Sequence, residues 1–410
     1  MEAERQAREA SPAERAGTAA RVGAGGVRAI RVLDARGGFG APRRVGWRDG
    51  VFALDGLPQA DDLDGSGLWL IPGLVDAHLH ASWHAFGASE REELDAARTR
   101  ELTAAGLRRT LAAGFTSARD AGGLDPAELS GIPETERPRI QCAVTLIDRT
   151  VADAAGGIGR AVEQALAAGA RWVKLVATGG VATAGGSGLD PVFTAAEMRA
   201  AVRLAEGAGA GVMVHAWGGE AIDDAVEAGA MSLEHGIFLT DAQAERAAER
   251  GVTLVPTLRI YRLVRRMIDR GELPATLRAR LDEATGAHPR AVQRARDAGL
   301  SIALGTDSGT PQQHGSNARE FDALVSAGLT PGEALLAATR SGAELLGRVA
   351  MRSGAPAPSP ASAGTVVDGA PADAVILRRD PRLPGALADP DAIAAVVLAG
   401  RVLDPAVLRT

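Results

Sequence analysis

The sequence predicts an α/β fold: a parallel (β/α)8 barrel of the TIM type, joined to a small β-sandwich domain assembled from both chain ends. Three observations carry this expectation. From about residue 69 onward, short apolar runs alternate regularly with amphipathic stretches of ten to twenty residues. Several of those stretches end in Ala-Gly just before the next run, the glycine expected after a helix C-terminus. Strand-like pieces without intervening helices flank the alternation on both sides.

Taken in order, residues 1–26 alternate charge with alanine and are expected to hold no stable structure. VRAIRVLDA and RRVGWRDGVFAL, broken by Gly, Pro and Asp, read as short strands. Eight apolar runs follow: LIPGLVDAHLH, FTSARDAG, RIQCAVTL, RWVKLVATGG, GVMVHAWG, MSLEHGIF, VTLVPTL and LSIALGTDS. Between them lie helix-like segments such as 100–114, 158–169, 194–209 and 219–229. An open doubly wound sheet would want a phosphate-binding glycine turn after its first strand, and LVDAHLH is followed by none. After about residue 350 the pattern reverts to GTVVDG, DAVIL and AAVVLAGRVLD. The expected organisation is therefore a barrel over 72–349 inserted into a composite β-domain of 27–71 and 350–410.

Composition excludes several classes of function. A net charge of −6 gives no basic surplus for a phosphate-tracking surface, so no nucleic-acid partner is expected. A single cysteine, Cys142, allows no intrachain disulfide and fits a reducing, cytoplasmic setting. Neither a secretory apolar core nor a run of about 18 uncharged apolar residues occurs, so no membrane association is expected. A small-molecule substrate is the expected partner, and a homo-oligomer is compatible with the composition.

The barrel reading fixes where chemistry belongs, because active sites in such barrels sit at the C-terminal strand ends. The first barrel strand ends in His78-Leu79-His80, and residues i and i+2 of a strand face the same side. Later strand ends carry Lys174, His215, His235 and Asp307. Neutral imidazoles and a carboxylate converging on one mouth suit a divalent metal. Lys174 is the only lysine in the chain, the other 44 of the 45 Lys+Arg residues being arginine. A GC-rich codon bias explains the missing lysines and sharpens the question of the one retained. Packing of its stem in a core strand is the alternative to a chemical role.

PGLVDAHLH, the strand-four lysine, VHAWG, SLEHG and LGTDSG, in this order and spacing, resemble the amidohydrolase superfamily of binuclear metal-dependent hydrolases. The likeness runs from about residue 28 to the end. It implies that His78, His80 and Asp307 hold one metal, that His215 and His235 hold the other, and that Lys174 bridges both as a carbamate formed with CO2. Arginine could not serve there, since its guanidinium stays protonated. The implied chemistry is hydrolysis of an amide or peptide-like C–N bond by hydroxide bridging two divalent ions, zinc being the expected metal. Lys174, His235 and Asp307 would be catalytic, Asp307 as proton shuttle. Lactones, esters or cyclic amides are alternative substrates of the same site. A Schiff-base lyase using Lys174 and a non-catalytic scaffold are the other classes.

Within the superfamily, KLVATGG, SLEHG, Tyr261 and HGSNAREF are most similar to the imidazolonepropionase-related group with Xaa-Pro dipeptidase-like enzymes. That likeness makes Tyr261, on a loop overhanging the mouth, and His314 candidate substrate contacts. Peptidase relatives carry a Gly-Gly-His stretch after strand three, where this chain has LIDRTVADAAGG. Arg149 is the residue available to replace that histidine. His84 and His288 read as surface residues, and Arg119-Asp120 as an ion pair near the mouth.

Overall fold

The computed structural model describes residues 24–56, 59–85, 94–180, 188–352 and 364–410. The expected N-terminal segment lies outside these residues except at its end, where Gly25 and Gly26 already belong to a strand. The fold is mixed α/β, as expected.

Both chain ends contribute to one eight-stranded sheet. Its N-terminal members are β1 (Gly25–Val32), β2 (Arg43–Arg48), β3 (Val51–Phe52), β4 (Leu63–Asp64) and β5 (Trp69–Pro72). The C-terminal members come from Ala374–Leu377, Ile393–Leu398 and Arg401–Leu403. Antiparallel pairing of Leu70 with Ile376 and Ile71 with Val375 joins the two ends. Side chains from both flanks share a core, with Val27, Val45, Trp47 and Phe52 among Ala374, Ile376 and Val397. The piece GTVVDG forms turns instead of the expected strand. Gly364 and Gly369 take positive φ there, which no extended strand tolerates.

The remaining strands are β6 (Leu74–Leu79), β7 (Phe115–Asp120), β8 (Arg139–Cys142), β9 (Leu146–Ile147), β10 (Trp172–Val176), β11 (Gly211–Ala216), β12 (Ser232–His235), β13 (Thr253–Val255) and β14 (Ser301–Ile302); the C-terminal flank follows as β15, β16 and β17. All eight expected apolar runs therefore form strands, the first divided between β5 and β6 at Gly73 and the third split in two. The split falls beside Val144, whose φ of 65° interrupts extended backbone. The strands pair in parallel, in the orders β6-β7-β8 and β9-β10-β11-β12-β13-β14. Between the two sheets Arg171 N–H donates to the Cys142 carbonyl at 2.8 Å. On the far side Ala77 N–H donates to Leu304 O and His80 N–H to Ser308 O, both at 2.8 Å.

Helices cover this layer at the expected places, including Ala96–Ala112, Ile158–Ala167, Ala195–Gly207 and Glu220–Ala228. Thr194 and Thr240 start their helices with capping boxes, and Gly229 ends one in the left-handed conformation. Strand alternation sorts the side chains. Val173 and Leu175 of β10, with Val212 and Val214 of β11, join the core against the helices. Trp172 and Met213 point the other way, onto Leu345, Leu346 and Val349 of the helix Gly342–Arg352. Lys174 and His215 continue that inner row toward the strands' C-terminal ends. No described helix is long and apolar enough to cross a membrane.

Candidate metal centre

Lys174 lies on the inner face of β10 and is 2% exposed, and among the described residues its Nζ has no hydrogen-bond partner. Burial pulls its pKa down to about 8, against the carboxylates of Glu234 and Asp307 and with the help of the Arg119 charge. A buried amine that gives up its proton this readily is a nucleophile near neutral pH.

His215 follows on β11. Its Nε2 donates to the Gly179 carbonyl at 3.3 Å, which leaves the lone pair on Nδ1. Burial, then the Lys174 charge, lowers its pKa to about 3, so the ring is neutral. His235 ends β12 with its ring 4.5 Å from that of His215. Inner and outer positions alternate along β12, with Leu233 outward in the helix-packed core. His235 should therefore share Leu233's side, but a φ of 73° turns it back inward. Its Nδ1 lies 2.7 Å from Thr257 Oγ1, and burial holds its pKa well below the usual histidine range.

His78 and His80 both turn Nε2 toward Asp307, at 3.5 and 3.2 Å from Oδ1. Their other nitrogens are occupied: His78 Nδ1 donates to Glu234 Oε2 at 2.6 Å and His80 Nδ1 to Gly122 O at 2.8 Å. The His80 ring also stacks on Trp83 at 3.6 Å. Asp307 has a φ of 53°; burial would raise its carboxyl, but the neighbouring imidazoles of His78 and His80 outweigh this and hold it well below the usual range. Ligand atoms of His78, His235 and Asp307 all lie within 4.8 Å of one another. Imidazoles with oriented second nitrogens, an ionised carboxylate and an orphaned buried amine form a donor set that fits divalent cations.

The three candidate substrate contacts are dispersed. Tyr261 belongs to the helix Leu258–Asp269, not to a loop, and is 4% exposed. The apolar period of LRIYRLVRRMI draws that segment into a helix, and its ring meets His235 edge-on at 5.9 Å. His314 is buried on the helix Ala96–Ala112, where Gly106 leaves room for its ring and Thr110 Oγ1 lies 3.4 Å from Nδ1. Arg149 pairs with Glu197 through two bonds of 2.9 and 3.0 Å and donates to Val192 O.

Three sequence expectations are corrected. His84 and His288 are buried, at 8% and 2% exposure. His288 shares a helical stripe with Leu281, Ala284 and Ala291 and donates to His235 O at 2.9 Å; His84 meets Thr103 Oγ1 at 3.1 Å. Arg119 does not pair with Asp120, because neighbours on a strand face opposite sides. Arg119 bonds Glu234 at 2.9 Å, whereas Asp120 accepts the backbone N–H groups of Ala81, Gly122 and Leu124. Glu234 behind His78, Thr257 behind His235, and Glu320, buried at the start of the helix that follows Thr257, were not anticipated; alternation along SLEH was the available signal for Glu234.

The model of the amidohydrolase family matches residues 69–403. An uncharacterized protein of Mycobacterium tuberculosis is 31% identical over 367 residues, covering 87% of this chain and 91% of that protein. Ochratoxinase of Aspergillus niger is 30% identical over 233 residues, 56% of this chain and 45% of ochratoxinase. Among solved structures, a prolidase complexed with N-methylphosphonate-L-proline has a TM-score of 0.81 at 25% identity, covering 93% of this chain and 99% of the prolidase. With a family match spanning strands and flanking sheet alike, the chain belongs to the amidohydrolase family and is a hydrolase acting on carbon–nitrogen bonds.

Proposed function

We propose that this protein hydrolyses the amide bond of dipeptides, N-acyl amino acids or related carboxamides at a two-metal centre. The observation that carries this reading is the buried Lys174 amine, unpartnered among the described residues, inside a ring of histidines. His78, His80 and Asp307 would hold one cation and His215 and His235 the second, with Lys174 shared between them. Two divalent cations, zinc being the expected pair, would supply Lewis acidity toward the scissile carbonyl and ionise water near neutral pH.

The chain's own residues do the rest. The Lys174 nitrogen attacks the carbon of CO2 and loses its proton, giving a carbamate whose oxygens are ligands where the free amine was not. Asp307, at 21% side-chain exposure against 1% for His78, opens toward substrate. It takes the proton of the attacking water and passes it to the leaving nitrogen. His235 is oriented by Thr257, and the Tyr261 ring beside it lines the same wall. The prolidase with a bound proline phosphonate supports a substrate that carries an amino-acid carboxylate. Arg149 would reach such a group only by sharing it with Glu197, and His314 only by leaving its seat on Gly106.

In the same reading, the parallel strands close into a (β/α)8 barrel over 72–349. Support comes from the backbone bonds at both seams, Arg171 to Cys142 and Ala77 to Leu304. The sheet of 27–71 and 350–410 would be the composite sandwich domain, bent at the irregular register between Val27 and Ile30. A cytoplasmic site of action fits the single buried thiol.

Metal content per chain, followed by a hydrolysis screen of dipeptides and N-acyl amino acids, tests the proposal. About two metals per chain are expected, with cleavage that disappears in Lys174→Ala and partly returns with added short carboxylates. A metal-free active protein, or full activity in Lys174→Ala, overturns it.

A further inference from the structure

We propose that Arg119 and Glu234 form a buried lock that sets the tautomer of His78, so that its Nε2 meets the centre as a bare lone pair. The role of that lone pair rests on the metal-hydrolase reading above.

Both residues are completely buried. Arg119 is fixed from three sides: Nε donates to Ala77 O at 2.6 Å, Nη1 to Ser232 Oγ at 2.8 Å and Nη2 to Glu234 Oε1 at 2.9 Å. Its guanidinium also lies over the Trp172 ring, 4.4 Å from the centroid. Ser232 Oγ adds a second donor to Glu234 Oε1 at 2.5 Å. With Oε1 taken by two donors, Oε2 is left for His78 Nδ1 at 2.6 Å. A carboxylate paired with arginine has no proton to give, so the hydrogen in that bond sits on Nδ1. With Nδ1 as the donor, a singly protonated ring has its lone pair on Nε2, the atom 3.5 Å from Asp307 Oδ1. Two acceptors at that spacing would be reconciled by a cation held by both residues.

The other imidazoles are held differently. His80 donates to a backbone carbonyl, and His235 faces the Thr257 hydroxyl, which either donates or accepts and so leaves the tautomer undecided. Only His78 among the described residues is set by an ionised side chain. Replacing ion pairs buried this deeply by apolar residues of similar volume is often neutral for stability, which agrees with a positioning use of this pair. Arg119 and Glu234 act through His78 and are positioning residues.

The test uses nitrogen-15 histidine spectra of the purified full chain, metal-stripped and zinc-loaded, with zinc affinity measured by chelator competition. Wild-type His78 is expected as the Nδ1–H tautomer in stripped protein. Glu234→Gln keeps an acceptor for Arg119 but presents an amide donor to Nδ1. It should move the proton to Nε2 and weaken zinc binding at one site by about 10–100-fold, with the second site unchanged. Ser232→Ala leaves the carboxylate in place and should retain Nδ1–H. A wild-type His78 protonated on Nε2 overturns the lock even if no variant folds. Weakened zinc binding in Glu234→Gln without a change of tautomer also overturns it. If wild-type protein binds no zinc while His78 is Nδ1–H, the hydrolase reading fails and the lock stands.

Discussion

His235, Thr257 and Asp307 share an unusual property: each is a non-glycine residue at positive φ, at 73°, 52° and 53°, and each sits where a strand gives way to its loop. Left-handed backbone costs such residues on the order of 1 kcal/mol or more, and persists where surrounding contacts over-determine it. The contacts here are visible. Thr257 bonds His235, and Asp307 lies against His78 and His80. Thr257→Val is therefore expected to lower kcat/KM by about 10–100-fold and weaken bound metal, while Thr257→Ser keeps most of both. Equal loss in the two variants would mean that the hydroxyl does not orient His235. Lys174→Arg keeps the positive charge but has no amine to form a carbamate, and bound metal measured by emission spectroscopy should fall with activity.

Glu320 links two elements, its oxygens accepting from Leu258 N–H at 2.6 Å and Arg259 N–H at 2.9 Å across the start of the helix Leu258–Asp269. Those donors favour the ionised form, yet burial is the larger effect and pushes the carboxyl from 4.5 up to about 8. Because the folded chain then holds this proton more tightly than the unfolded chain, the stabilisation is fully present below about pH 4.5. It is lost as pH rises through about 8. Measured by urea unfolding, the stability of wild type relative to Glu320→Gln should shrink between about pH 5 and pH 8, and a constant difference would contradict the assignment. Gly305 joins β14 to the centre in a second way. A Cβ there would collide with Val255 Cγ1 and stand 2.9 Å from His78 Cβ. Gly305→Ala should cost about 1–3 kcal/mol in thermal unfolding, with weaker metal binding because His78 must shift.

At the scale of the whole molecule, the flanking sheet and the parallel strands share one core. Val375, Leu377, Val396 and Leu398 of the C-terminal flank belong to the same buried cluster as Val173, Val212 and Leu254 of the parallel layer. Arg139 of β8 also pairs with Asp373 beside β15. One cooperative calorimetric transition is expected, and separate transitions for flank and parallel layer would show that the shared core is not decisive. The sequence by itself determined the eight apolar runs, the helices between them and the six residues that converge as the candidate centre. Parallel strands covered on both faces read as continuous apolar runs, and polar residues interrupting their ends stand out. Even Lys174 was marked by composition alone. What packs behind those residues was decided only by the tertiary structure: Glu234 and not Asp120 as the partner of Arg119, Thr257 behind His235, His288 buried, and Arg149 held by Glu197. Strand and helix periods are local properties of the chain, whereas these partners lie between 22 and 115 residues apart and are chosen by which strand ends the packing brings together.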